Sequence, residues 1–245
     1  MNNTSKALSV LLLSGSFLSV AHAVDRNILW DKVHNQCEPQ YKADGKYTPC
    51  SLVDEHDGYV IYKGDSDKYQ YLLLPTKQIT GIEDEQLLAD NQPNYIYLSW
   101  EARDLVAEKT DRKVREQDIS LTVNSLNTRS QDQLHVHISC LAQPVREALD
   151  RMDVKNIDND WHVFPEPLKT YTFNYKKLSF SELKNRNIFK DVSDKVAADG
   201  GELLYSTFAV VNLDSDNFMI LEASGTLEKR IGAEKLQDHT CALAQ

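Results

Sequence analysis

Ser130-Gln131-Asp132-Gln133-Leu134-His135-Val136-His137-Ile138-Ser139-Cys140 alternates through its second half. On a β-strand, Leu134, Val136 and Ile138 share one side, and His135, His137 and Ser139 share the other. With the apolar side on a core, the two imidazoles point together at something else. Imidazole exchanges its proton near neutrality, and its neutral nitrogen can attack phosphorus. An isolated His-x-His pair also suits a metal ion such as zinc or copper, or an ordinary exposed strand face. The residues just upstream favour an anion. Asn124, Ser125, Asn127, Thr128, Arg129, Ser130 and Gln131 offer amides, hydroxyls and a guanidinium that donate to phosphate oxygens.

Outward from this strand, Ile119 to Asn124 reads as its neighbour, joined to it by a turn over residues 125–130. Before it, Asn94 to Thr110 has helical spacing (Ile96, Leu98, Trp100, Leu105, Val106), with Asn94 as the cap. Gly58 to Tyr62 and Tyr69 to Leu74 form a hairpin that Pro75 ends, and Thr76 to Asn91 is a polar loop. The first helix runs from Asp25 to Cys37, with Asp25 as its cap. After the histidine strand, Pro144 to Met152 is a helix with proline near its start. Tyr171 to Tyr175 is a strand, and Phe180 to Ala198 is helical, in one piece or two. Ser206 to Leu213 and Phe218 to Ala223 make a second hairpin, and Ala233 to Ala244 a closing helix. Asp65-Ser66-Asp67 in the first hairpin and Asp214-Ser215-Asp216 in the second suggest a duplicated half, though acidic turns are common. The elements describe an α+β protein.

The first 23 residues stand apart. Lys6 precedes an apolar run of 14 residues from Ala7 to Val20, followed by Ala21-His22-Ala23. That is the pattern of a cleaved secretory signal; an uncleaved inner-membrane anchor is the alternative, although a span needs about 20 apolar residues. The expected address is therefore the periplasm, free or attached to the inner membrane. Removing this segment and its one charge, Lys6, takes the net charge from −10 to −11. An acidic surface argues against nucleic acid as a partner, but not against a small nucleotide in a local pocket. Export makes Cys37, Cys50, Cys140 and Cys241 candidates for disulfides. Of three possible pairings, Cys37–Cys50 closes a polar loop and leaves Cys140–Cys241. Free buried thiols are the alternative, and the spacing does not suit a four-cysteine zinc site.

Several short stretches complete the picture: Gly58-Tyr59-Val60, Tyr71-Leu72-Leu73-Leu74-Pro75-Thr76, Trp100-Glu101-Ala102-Arg103-Asp104, Asn124-Ser125, Arg129-Ser130-Gln131, His135-Val136-His137-Ile138-Ser139-Cys140 and Gln237-Asp238-His239-Thr240-Cys241. In this order they resemble the CDP-diacylglycerol pyrophosphatase family, within the histidine triad superfamily and its pattern His-φ-His-φ-His-φ-φ. The resemblance implies a histidine triad (HIT)-like antiparallel sheet with flanking helices over residues 24–245, as one catalytic domain or two HIT-like halves. It also implies hydrolysis of CDP-diacylglycerol to CMP and phosphatidate through a cytidylyl-histidine. His135 falls on the nucleophile and His137 on the third position, while Gln133 replaces the first histidine. A backbone carbonyl near that first position can still hold the nucleophile's second nitrogen. Asn124, Arg129, Ser130, Gln131 and Lys77 are the candidates for binding phosphate or nucleotide. No cofactor or metal is required, and the lipid substrate implies work at a membrane surface. Two other functions fit the residues: hydrolysis of a soluble CDP-alcohol, and exported metal binding through His135 and His137.

Overall fold

The computed structural model describes residues 25–64 and 67–245. The apolar run at residues 7–20, the proposed cleavage site, and Asp65 and Ser66 of the first acidic turn lie outside these residues. Among the described residues, no helix is long and apolar enough to cross a membrane.

The chain begins with α1 (Ile28–Asp31), a π-helical stretch (Lys32–Cys37) and α2 (Glu38–Asp44), which follow one another without a break. The helical run thus passes Cys37, its expected end. Pro39 has no N–H to give, and the wide π turn just before it accommodates that gap in the ladder. Gly45, at φ 71°, ends the run in the left-handed conformation. The first residue of α1 follows Asn27, not Asp25, and the Asp25 carboxylate accepts from the Asn27 N–H at 2.9 Å.

Next come β1 (Leu52–Asp54), β2 (Tyr59–Tyr62) and β3 (Tyr71–Pro75). Helices α3 (Tyr95–Glu101) and α4 (Asp104–Thr110) follow as two pieces. The Asn94 side chain caps the first, accepting from the Tyr97 N–H at 3.0 Å. The two-piece helix is broken at Ala102–Arg103, where the Arg103 guanidinium lies over the Trp100 ring and bonds the Trp100 carbonyl at 3.0 Å. β4 (Ile119–Val123) and β5 (Val136–Cys140) lead to α5 (Gln143–Asp150). Then follow β6 (His162–Val163), β7 (Asn174–Ser179), α6 (Phe180–Asn185), α7 (Ile188–Ala198), β8 (Ser206–Asn212) and β9 (Asn217–Ser224).

Two expectations fail here. The strand at Tyr171–Tyr175 lies later, at β7, because its register is set by six pairs with β9 and not by its own polar sequence. The closing helix is only a 3-10 turn at Ala233–Leu236. Beyond it the chain is pinned extended against the sheet by Gln237, whose amide donates to the Ser120 and His137 carbonyls at 3.0 and 3.2 Å. The Cys140–Cys241 disulfide clamps the same strap. Such anchors outweigh helix propensity. The Cys37–Cys50 disulfide is also formed, so the expected pairing is the one present.

Among the described residues, all nine strands join one sheet, in the order β1-β2-β3-β5-β4-β8-β9-β7-β6, with antiparallel neighbours throughout. About the β4–β8 junction, β2-β3-β5-β4 mirrors β6-β7-β9-β8. There is a duplicated topology, but it does not match hairpin to hairpin as the acidic turns suggested. The β4/β5 pair corresponds to β8/β9.

One sheet face packs on α3, α4, α6 and α7, through residues such as Trp100, Val106, Phe189 and Val192 against Leu121, Val136, Ile138, Phe208 and Ile220. The other face carries two separate covers. The first helix buries Leu29, Val33 and Cys37 on Val53, Val60 and Leu74. α5, Phe164, Leu168, Phe173 and Leu236 cover Ala209, Val211, Met219 and Leu221.

Candidate active site

Alternation through β5 puts Val136, Ile138 and Cys140 into the helix-covered core and turns the histidines to the opposite face. There they meet the gap between the two covers. A cavity of about 350 Å³ fills that gap. Its apolar side comes from Ile28, Leu29, Tyr62 and Leu72. Its polar side includes Asn124, Thr128, Ser130, His135, His137 and Glu234.

His135 precedes β5 and is 7% exposed. Its Nδ1 lies 2.7 Å from the Gln133 carbonyl oxygen, an acceptor, so Nδ1 carries the proton and Nε2 keeps its lone pair for the cavity. The Gln133 side chain, expected from the sequence to stand in for a first histidine, is fully buried. It donates to the Pro75 and Lys77 carbonyls, both at 2.9 Å, and so ties the entry of the histidine strand to the end of β3. The carbonyl that fixes the His135 tautomer survives the change of side chain.

His137 stands beside His135, with ring centroids 4.8 Å apart, and is 6% exposed. Its Nε2 is 3.4 Å from the Asn124 amide nitrogen. Its Nδ1 is 3.3 Å from Glu234 Oε1, off the line of a hydrogen bond. Burial pushes the His135 imidazole below its usual range, against the Gln133 bond. Burial also depresses His137, more strongly than Glu234 raises it. Both rings are therefore held toward the neutral form. Burial pushes the Glu234 carboxyl up, but its surroundings outweigh burial and hold it below the usual carboxylate range, with the amides of Gln70 and Asn124 donating to it.

Glu234 sits on the 3-10 turn of the C-terminal strap, where Ala233 N–H donates to Thr207 Oγ1 at 2.8 Å. Gly232 lets the strap come this close, because a Cβ there would lie 3.1 Å from Asn124 Oδ1. Glu234 accepts from Asn124 at 2.7 Å and from Gln70 at 3.0 Å. The Gln70 amide also lies 2.8 Å from His239 Nε2, and His239 Nδ1 lies 3.0 Å from an Asp67 carboxylate oxygen. His239 thus joins the polar network, although Cys140 faces away from the histidines. Sequence reasoning missed Glu234 and Gln70, and left the role of His239 open. A carboxylate one turn before the Gln237–Cys241 motif was the one available signal.

The other expected residues divide. Asn124 and Ser130 face the cavity. Arg129 borders it, but its guanidinium is held by Glu83 at 2.7 and 2.8 Å and approaches Asp132 at 3.3 Å. Gln131 also borders the cavity, with its amide engaged by the first helix: it donates to the Asp25 carbonyl at 3.0 Å and accepts from Leu29 N–H at 3.1 Å. Lys77 is exposed and does not line the cavity; its carbonyl, not its amine, serves the site. Ser139 bonds the Tyr69 carbonyl at 2.9 Å and braces β5. His34 stacks on Trp30, and His162 pairs with Asp158. Among the described residues, no group of three His, Cys, Asp or Glu side chains is arranged to hold a metal ion.

The arrangement offers a neutral imidazole nitrogen, a second imidazole backed by a carboxylate, and amide and hydroxyl donors around a polar cavity. The family pattern of CDP-diacylglycerol pyrophosphatase matches residues 24–245. The probable CDP-diacylglycerol pyrophosphatase of Mycobacterium leprae (strain TN) is 37% identical over 98% of this chain and 92% of its own. The CDP-diacylglycerol pyrophosphatase of Mycobacterium bovis (strain BCG / Pasteur 1173P2) is 40% identical over 90% of this chain and 85% of its own. That of Yersinia pestis is 33% identical over 96% and 91%. With a match across the whole described chain and relatives of this identity, the chain belongs to the CDP-diacylglycerol pyrophosphatase family.

Proposed function

We propose that this chain hydrolyses CDP-diacylglycerol to CMP and phosphatidate, with His135 as the nucleophile in a histidine triad-like site. The observation that carries the reading is the 2.7 Å contact from His135 Nδ1 to the Gln133 carbonyl, which leaves Nε2 as a neutral nucleophile facing the cavity. His135 Nε2 attacks the cytidylyl phosphorus in line. A P–N bond forms, the P–O bond to phosphatidate breaks, and the electron pair leaves on the phosphatidate oxygen. A phosphate oxygen with its second pKa at about 6 leaves without a full proton. The positive charge on the cytidylyl-imidazole is met by the Nδ1–H bond to Gln133. Water then attacks the same phosphorus and gives up a proton to solvent, the P–N bond breaks with its electron pair returning to His135 Nε2, and CMP departs. Charge on the non-bridging oxygens is met by His137, Asn124 and Ser130, so positioning and electrostatics do most of the work. The apolar side of the cavity, Ile28, Leu29, Tyr62 and Leu72, suits the glyceride end of the leaving group.

Export, a periplasmic address and contact with a membrane through the lipid belong to the same reading. Its support is the apolar run and Ala21-His22-Ala23 signal in the sequence. The deciding experiment compares CMP release from CDP-diacylglycerol and from CDP-choline. Faster release from the lipid supports the reading, and preference for CDP-choline replaces it with a soluble-substrate hydrolase. N-terminal sequencing should find Val24 first, and Met1 on membrane-bound protein would mean an anchor instead.

A further inference from the structure

We infer that Glu234 is a positioning residue for this reaction: it orients His137 and supplies the negative charge against which His137 holds a proton once phosphate fills the cavity. The inference rests on the reading of His137 as a phosphate partner and goes beyond it by assigning the group that makes the partnership work.

A charge inventory of the cavity raises the problem. Among the described residues that line it, the one permanent cation is Arg129, already paired with Glu83 and Asp132. The acids among them are Asp67 and Glu234. A diphosphate entering such a site meets no free cation among these lining residues. Histidines must therefore supply the positive charge by taking up protons. A neutral imidazole in a dry site does so readily only if an anion already faces its far nitrogen.

Glu234 meets that requirement. Its Oε1 lies 3.3 Å from His137 Nδ1, while Asn124 holds Oε2 at 2.7 Å. The Asn124 amide near His137 Nε2, at 3.4 Å, marks the side from which a phosphate oxygen would replace it as partner. The carboxylate is itself fixed from behind. Asp67 accepts from His239 Nδ1–H, which leaves His239 Nε2 to accept from one Gln70 hydrogen while the other goes to Glu234. The remaining charged or titratable neighbours are His135 on the same segment, which opposes protonation of His137, and His239 at 3.7 Å from Glu234. A half-buried carboxylate beside an anion site is costly unless it is hydrogen-bonded and paired. Here it is held by two amides and by the turn at Ala233–Leu236, so its placement does not depend on substrate.

The test uses Glu234→Gln, which keeps the shape and removes the charge. Thermal melting and non-reducing peptide mapping first establish that the variant folds with both disulfides. Histidine ¹⁵N spectra are then titrated with and without CMP. In the unaltered enzyme, saturating CMP should raise the His137 titration by about one pH unit or more, a tenfold change in proton affinity. In Glu234→Gln that rise should vanish. kcat should fall by about 10²–10³-fold, as for a lost electrostatic donor, with KM little changed, and Glu234→Asp should recover part of it. An unchanged His137 response to CMP in Glu234→Gln, or a defect carried by KM alone, overturns the inference. The nucleophile reading fails separately, if His135→Ala still takes up cytidylyl label. The CMP titration needs no turnover and still reads the Glu234–His137 pairing in that event.

Discussion

In the first half of the sheet β4 runs beside β5, with β3 and β2 beyond; in the second β8 runs beside β9, with β7 and β6 beyond. A 3-10 turn leads into β4 at Glu116–Asp118 and into β8 at Leu203–Tyr205. Setting these turns equivalent aligns the ladders: Thr122 opposite His137 corresponds to Ala209 opposite Leu221. Met219 then occupies the place of His135, and Leu221 that of His137. Both apolar residues are fully buried, under α5 and the Phe164–Phe173 segment. The first half's cover, the α1–α2 run, lies over β1, β2 and the outer part of β3. That run stops short of His135 and His137, and the cavity lies between it and the C-terminal strap. The same ladder makes a core where the cover lies over it and a polar cavity where the cover stands aside.

The largest effect should come from the nucleophile. His135→Ala should abolish turnover and all labelling from cytidine-side ³²P substrate. Adding histidines at Met219 and Leu221 to that variant should not restore either, because those positions face packed residues. Label on the second-half histidines would break the comparison. The disulfides come next. Cys140–Cys241 ties the first half's reaction strand to the C-terminal strap across 101 residues, against 13 for Cys37–Cys50. In the chain-entropy view the long loop contributes about 4–5 kcal/mol and the short one about 3. Urea unfolding of the paired Cys→Ala variants should rank them so, and the reverse ranking would show that strap placement does not depend on the bond.

His137 and Leu221 sharpen the comparison further, since they are register equivalents with different duties. His137→Ala should slow turnover by about 10²–10³-fold while label still attaches slowly. EDTA should change neither rate; full EDTA sensitivity with equal loss in both histidine variants would mean a metal site. Leu221→Ala should leave kcat/KM intact and cost about 2–5 kcal/mol of stability, as is usual for a core cavity.

Much of this was legible in the residues. Alternation from Leu134 to Cys140 located the histidine strand and its two faces, and Asn94 announced its helix by its capping chemistry. The cysteine spacing led to the disulfides present. What was not legible depends on contacts distant in sequence. Glu234 lies 110 residues from Asn124, and Gln70 lies 164 from Glu234. No local pattern marks such partners. Arg129 looked like a phosphate ligand because its type fits, but only the fold brings Glu83 to it. β1, with three residues, and β6, with two, are too short to show a period. β7 carries Lys176 and Lys177, with the Lys176 ammonium over the Trp161 ring, so a polar sequence hides a strand.

The smallest effect is one of pH, and it too separates the halves. The His135 and His137 imidazoles are held below their usual range by burial. In the unfolded chain each titrates at about 6.5. Below that value the unfolded chain takes up protons that the folded site refuses, so stability is complete above about 6.5 and falls as pH drops toward the depressed folded values. Each imidazole adds a slope of ~1.4 kcal/mol per pH unit in that window. Ionised Glu234 and Asp132, held low in the folded state, add their own loss only further down, in the carboxylate range. Urea midpoints measured from pH 7.5 to pH 5.0 should therefore fall less steeply in His137→Ala than in the unaltered enzyme. Leu221→Ala, with its defect in the half that buries no imidazole at this register, should keep the full slope from a lower starting point. Equal slopes for the unaltered enzyme and His137→Ala would mean that His137 is already charged in the empty cavity, with Glu234 as its permanent partner.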